Sequence, residues 1–197
     1  MLSRKAHILC IGASLTEGFI ALGAPPHPYA ITLGKLLGVT FSIQRFGCSG
    51  QTSKQIREIV PMTFPSAFPY FGAIVMCGSN DLFGQPPTET IANIESILKS
   101  YLGHCGERNR VVAITLPQMA AEMQYPHITR SRAAVNDWIR SFSKSNGLIL
   151  FDFDKEIPGC CSGKASDLWS RDGIHMTTKG YDVLGEHIYQ AVRPFWI

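Results

Sequence analysis

"HILCIGASLTEGF", residues 7–19, starts as an apolar run and stops abruptly at the small residues Gly12, Ala13 and Ser14. A short, continuous apolar run of this kind reads as a strand covered on both faces. Four more runs follow it: 40–46 (TFSIQRF), 72–77 (GAIVMC), 111–116 (VVAITL) and 148–153 (LILFDF). The run at 40–46 alternates more than the others, which suits the edge of a sheet.

Helical patterns separate the runs. "PYAITLGKLLG" (28–38) ends in a glycine suited to a helix C-terminus, and "TSKQIREIV" (52–60) opens with Thr52 and Gln55 at capping-box spacing before Pro61. In 88–102, Ile91, Ile94, Leu98 and Tyr101 share one face, as do Val135, Trp138, Ile139 and Phe142 in 132–144, and Leu184, Ile188 and Ala191 in 178–192. Strand and helix thus alternate from end to end. That order predicts an α/β chain, a three-layer α/β/α sandwich on a mainly parallel five-stranded sheet with right-handed crossovers. The Pro-rich stretches 25–28 and 61–69 read as loops, so residues 1–197 are expected to form one domain.

The bulk composition narrows the function. The chain has 197 residues, 45% hydrophobic and 17% charged, with a formal net charge of +3. Such a balance describes a globular protein, and the scattered Lys and Arg form no basic stripe for a nucleic acid. No run approaches the ~18 apolar residues of a membrane span. "MLSRKAHILCIG" has the charged start of a signal peptide but too short an apolar stretch, which points to the cytoplasm. Six cysteines without a C-x-x-C pair argue against zinc or thioredoxin-type chemistry and for reduced thiols; neither a metal nor an organic cofactor is expected.

In an open parallel sheet, ligands bind beyond the carboxyl ends of the strands. Ser14 follows the first run, "FGCSGQTS" the second and "GSND" the third, and "SRDGIHMTTKGY" precedes the last helix. A serine hydroxyl becomes a nucleophile only with a base to take its proton and an acid to orient that base. Of the six histidines only His175 has an acidic residue, Asp172, three positions earlier, one turn away. Gly50, the Asn80 amide and the N–H of Ser14 itself are candidate donors to an oxyanion. Each part alone has an ordinary reading: Asp172-Gly173 is a turn signal, Asn80 a turn residue, "GCSG" a loop and Ser14 an N-cap.

Together, in this order, "IGASLTEG", "GCSGQTS", "GSND" and "DGIHMTTKGY" resemble the four blocks of the SGNH hydrolases, the GDSL esterase/lipase family. The resemblance runs from residue 8 to about 190. It implies a flavodoxin-like fold and hydrolysis of esters, thioesters or O-acyl groups on a small molecule, lipid or sugar. Ser14, Asp172 and His175 would be the catalytic residues, and Ser14, Gly50 and Asn80 the oxyanion hole. Two positions depart from the family pattern. Ala13 stands where the family has Asp before its nucleophile, and Arg45 stands for an Asn two residues before Gly47.

Acyl-group choice is expected from 117–130, "PQMAAEMQYPHITR", with Met119, Met123 and Tyr125 bordering the substrate, and from Arg171 if the substrate is anionic; the same residues read equally as surface loop. The G-x-S-x-G elbow is absent because Thr16 occupies its last position, and "CSGKAS" lacks the earlier glycine of a phosphate loop. Two rivals share the motifs: an acyltransferase passing the acyl group to an alcohol, and a non-catalytic relative that binds an acylated ligand. A flavodoxin-like nucleotide binder is a third, disfavoured by the missing phosphate loop.

Overall fold

The computed structural model describes residues 5–64, 69–163 and 167–197. Strands β1 (Ala6–Gly12), β2 (Phe41–Gly47), β3 (Gly72–Met76), β4 (Val111–Ile114) and β5 (Ile149–Phe151) form one parallel sheet in the order β2-β1-β3-β4-β5. The helices are α1 (Ser14–Glu17), α2 (Ala30–Leu37), α3 (Ser53–Thr63), α4 (Pro87–Cys105), α5 (Pro126–Asn146), α6 (Phe153–Glu156) and α7 (Thr178–Trp196).

Side-chain alternation along the strands divides the core into two layers. Ile8, Cys10, Ile74, Val112 and Ile149 face a cluster completed by Leu33 of α2 and Leu184 and Ile188 of α7. Leu9, Ile11, Val75 and Ala113 face the other side, against Ile56 of α3, Leu98 of α4 and Val135 of α5. Each of these side chains is buried, and each Val, Leu and Ile among them contributes about 1.5–3 kcal/mol by leaving water. The apolar stripes read from the sequence are therefore the inward faces of their helices. β2 lies at an edge, as its alternation requires, with Gln44 and Arg45 exposed.

Two boundaries differ from the sequence reading. Pro61 lies inside α3, not beyond it; the helix continues to Thr63, whose hydroxyl donates to the Val60 carbonyl at 2.7 Å and so satisfies an end carbonyl. Residues 65–68 of the stretch read as a loop lie outside the described residues, as do residues 1–4 and 164–166. Helix α5 begins at Pro126, six residues before the expected 132, with proline at its first turn, where the missing N–H costs nothing. The segment 117–130 is thus a short 3-10 turn (Ala120–Met123) running into a helix, not one long loop. The Thr52–Gln55 capping box forms as expected.

The order 2-1-3-4-5 reverses direction between β1 and β3. A crevice opens at such a switch point because the loops leaving the two strands diverge to opposite faces. Ser14 stands two residues beyond β1, and Asn80 four residues beyond β3.

Candidate active site

Ser14 is the first residue of α1, with 9% of its surface exposed. Its Oγ lies 3.0 Å from Nε2 of His175, and Nδ1 of that ring lies 2.7 Å from Oδ2 of Asp172. A carboxylate can only accept, so Asp172 fixes the proton on Nδ1 and leaves Nε2 to accept from the serine hydroxyl. The other oxygen of Asp172 accepts the backbone N–H groups of Ile174 and His175, both at 3.0 Å. Partial burial pushes the Asp172 carboxyl up, but the His175 ring and these two N–H groups outweigh it and hold the group below the ordinary carboxylate range. The Phe19 ring packs against the imidazole with centroids 4.6 Å apart.

The candidate oxyanion donors come from three loops. Gly50 sits at φ 78°, a conformation that disfavours any side chain, and no backbone hydrogen bond among the described residues engages its N–H. Nothing lies within 4 Å of the place a Cβ would take, so it is the turn, not crowding, that calls for glycine. The Asn80 amide donates one hydrogen to the Gln51 carbonyl at 2.8 Å, which ties its loop to the Gly50 turn and leaves its second hydrogen. The N–H of Ser14 is an orphan of the first helical turn.

Residues the sequence did not single out hold this half together. Asp81, 1% exposed, accepts the N–H of Ser53 at 2.8 Å and also its hydroxyl, and so fastens the start of α3 to the Asn80 turn. Glu17 accepts the N–H of Ser49 at 3.0 Å and its hydroxyl as well, joining α1 to the Gly50 loop. The acidic residues beside Ser14 and Asn80 in the motifs were the available signal.

Beside Ser14 opens a small cleft walled by Ala13, Met76, Cys77, Pro117, Met119 and Ile174, with Ser79 and Asn80 also lining it. Of the four expected substrate contacts, only Met119 lines this cleft. Met123 and Tyr125 are 76% and 49% exposed and do not line it, because the turn after Met119 directs the chain outward; Arg171, on the separate segment before Asp172, is exposed and does not line it either. Ala13, the departure from the family pattern, is the N-cap of α1 and makes no side-chain cap. Among the described residues, no group of three or more His, Cys, Asp or Glu side chains is gathered for a metal.

No curated protein matches the chain closely enough in sequence to count as a relative. Solved structures match its fold. An aryl esterase from M. smegmatis superposes with a TM-score of 0.76 at 20% identity, over 96% of this chain and 99% of that one. Est24, a carbohydrate acetylesterase from Sinorhizobium meliloti, gives 0.76 at 20% identity over 96% and 99%. A lipase/acylhydrolase from Enterococcus faecalis gives 0.77 at 14% identity over 96% of each chain. At such identities the likeness speaks for the fold alone. The family model is what reaches further, since it spans residues 10–183 and so takes in both Ser14 and His175. The chain belongs to the GDSL-like lipase/acylhydrolase family, hydrolases that act on ester bonds.

Proposed function

We propose that the protein is a serine esterase working through an acyl-enzyme on Ser14. The observation that carries this reading is the unbroken line of hydrogen bonds from Asp172 through His175 to Ser14, at 2.7 and 3.0 Å. His175 Nε2 takes the hydroxyl proton as Ser14 Oγ attacks the ester carbonyl. The carbonyl oxygen gains the negative charge and is received by the N–H groups of Ser14 and Gly50 and the free hydrogen of the Asn80 amide. Asp172, held ionised, stabilises the imidazolium; it takes no proton itself. The imidazolium then protonates the departing alcohol. Water, deprotonated by the same nitrogen, attacks the acyl-enzyme and releases the acid.

The apolar walls of the cleft favour an uncharged acyl group, and Met119 lies against it. Arg171, exposed and outside the cleft, is the less suited of the expected contacts. We take residues 1–197 as a single hydrolase domain and place it in the cytoplasm. The second point is supported by six free cysteines.

Intact mass after exposure to a fluorophosphonate tests the reading. One adduct on the wild type and none on Ser14→Ala is expected; an unlabelled, folded wild type excludes an activated serine. Product analysis with added alcohols then separates hydrolysis from acyl transfer, because the acyl-enzyme is common to both.

A further inference from the structure

The pair Asp172–His175 lies on a turn inside the segment 157–177, between α6 and α7, and most of the bonds that shape this segment are internal. Ser170 N–H donates to the His175 carbonyl at 2.8 Å, Gly173 N–H to the Ser170 carbonyl at 3.0 Å, and Thr177 N–H to the Leu168 carbonyl at 2.9 Å. Among the described residues, one hydrogen bond reaches residues 170–174 from outside the segment: the N–H of Ala120 donates to the Gly173 carbonyl at 2.9 Å. The approach is close. Gly173 adopts φ 61°, and a Cβ there would meet the Cβ of Ala120 at 2.4 Å.

Ala120 is itself fixed from behind. Its 3-10 turn is capped by Glu122, whose carboxylate accepts the Met119 N–H at 2.9 Å and is 8% exposed. Arg132 of α5 grips both oxygens of that carboxylate, at 2.7 and 3.1 Å, and also donates to Asp154. Asp154 accepts from Arg140 at 2.8 Å, Arg140 donates twice to Asp152 at 2.8 Å, and Asp152 accepts the Thr115 hydroxyl at 3.0 Å, just beyond β4. A two-point arginine–carboxylate contact fixes orientation as well as distance. The cluster therefore transmits the position of the sheet and α5 to a single N–H.

We infer that the Ala120–Met123 turn, braced by the buried Glu122–Arg132 pair, is a positioning element for the acid–base pair, acting through the Ala120 N–H on the Gly173 carbonyl. The inference rests on the roles proposed above for Ser14, Asp172 and His175. Ala120 touches no reacting atom. It sets where the imidazole stands, and displacements near 1 Å in such a group cost about a hundredfold in rate.

Ala120→Pro is the test. Proline removes this donor, suits the first position of a helical turn, and finds Met119 already in the extended conformation it demands, at φ −119° and ψ 150°. With p-nitrophenyl acetate, kcat is expected to fall about 10- to 100-fold with KM within about twofold. Fluorophosphonate labelling slows in parallel. A turn that served only as a wall of the cleft would raise KM and leave kcat in place. Should Ala120→Pro not fold, Arg132→Lys, which keeps the charge but not the two-point grip, carries the same readouts with a smaller fall. A folded variant with the kcat and labelling rate of a labelled wild type overturns the inference alone; a wild type that takes no label overturns the reading of the site beneath it.

Discussion

Ser14 and Asn80 leave the ends of neighbouring central strands, β1 and β3, whereas Asp172 and His175 hang from the segment 157–177, which carries no strand of the sheet. The first half inherits its geometry from a buried sheet core. Its loops are then joined by short local contacts, Asp81 to Ser53 and Glu17 to Ser49. The second half builds its own turn and is steadied by the Ala120 N–H on the Gly173 carbonyl. Accuracy on one side is thus a by-product of folding the core, and on the other it depends on a few polar contacts. The halves should answer differently to substitution.

The largest effects are expected at the residues proposed to carry the reaction, and they calibrate the rest. Asp172→Asn leaves the turn in place but puts the wrong tautomer beside Ser14, and kcat should fall by about 10⁴. Asn80→Ala removes one donor from the sheet-borne half, and kcat should fall by about 10²–10³ with KM little changed. Steady-state kinetics on one activated ester checks both. An Asn80→Ala enzyme with wild-type kcat would remove the amide from the oxyanion hole and leave the Ser14 and Gly50 N–H groups as the donors.

This division also explains what the sequence could disclose. The strands, the edge position of β2 and the inward faces of α4, α5 and α7 follow from apolar runs and 3.6-residue periodicity, because burial acts on consecutive residues. Ser14, Asn80, Asp172 and His175 were legible for another reason, as motifs whose residue types have few other uses in combination. Partnerships between distant residues leave no such pattern. Nothing in 117–130 says that Glu122 meets Arg132, ten residues on, or that a backbone N–H of Ala120 meets Gly173. Met123 and Tyr125 misled because an exposed apolar side chain and a pocket-lining one look alike until the turn that aims them is known. Pro61 and Pro126 moved two helix boundaries for a related reason: whether a proline ends, continues or starts a helix depends on which carbonyls find partners elsewhere.

The brace behind the second half can be probed through pH. Burial pushes the Asp152 carboxyl up, but hydrogen bonds from Arg140 and Thr115 and the charges of Arg140 and Lys155 outweigh it and hold the group below the ordinary carboxylate range. A depressed folded value means that the contribution to stability is present above the unfolded value of about 3.9 and is lost as pH falls through the lower, folded one. Asp152→Asn should therefore melt below the wild type at pH 7, and the two melting curves should converge as the pH approaches 3. Thermal melts across pH 3–7 decide this. A constant gap between them would mean that Asp152 acts by packing and not by charge, and the cluster would lose its claim to brace the Ala120 turn electrostatically.

The smallest effect belongs to the residue that departs most visibly from the family pattern. Ala13 caps α1 without a side-chain bond, at a position where Ser, Thr, Asp or Asn is strongly preferred. The turn nevertheless holds, because the Ala13 carbonyl accepts the N–H groups of both Thr16 and Glu17 at 3.0 Å and β1 delivers the backbone from the core. Ala13→Ser should add the missing cap, raising stability by about 0.5–2 kcal/mol and the melting temperature by a few degrees. If strand β1 already fixes Ser14, the proposed nucleophile, kcat should stay within about threefold of the wild type, since a small hydroxyl beside the cleft changes neither the Ser14–His175 bond nor the donors from the other loops. A rise of tenfold or more in kcat would say that the uncapped turn is loose. In that case the sheet-borne half, too, would need a local contact to place its reacting atom, and the contrast between the two halves would vanish.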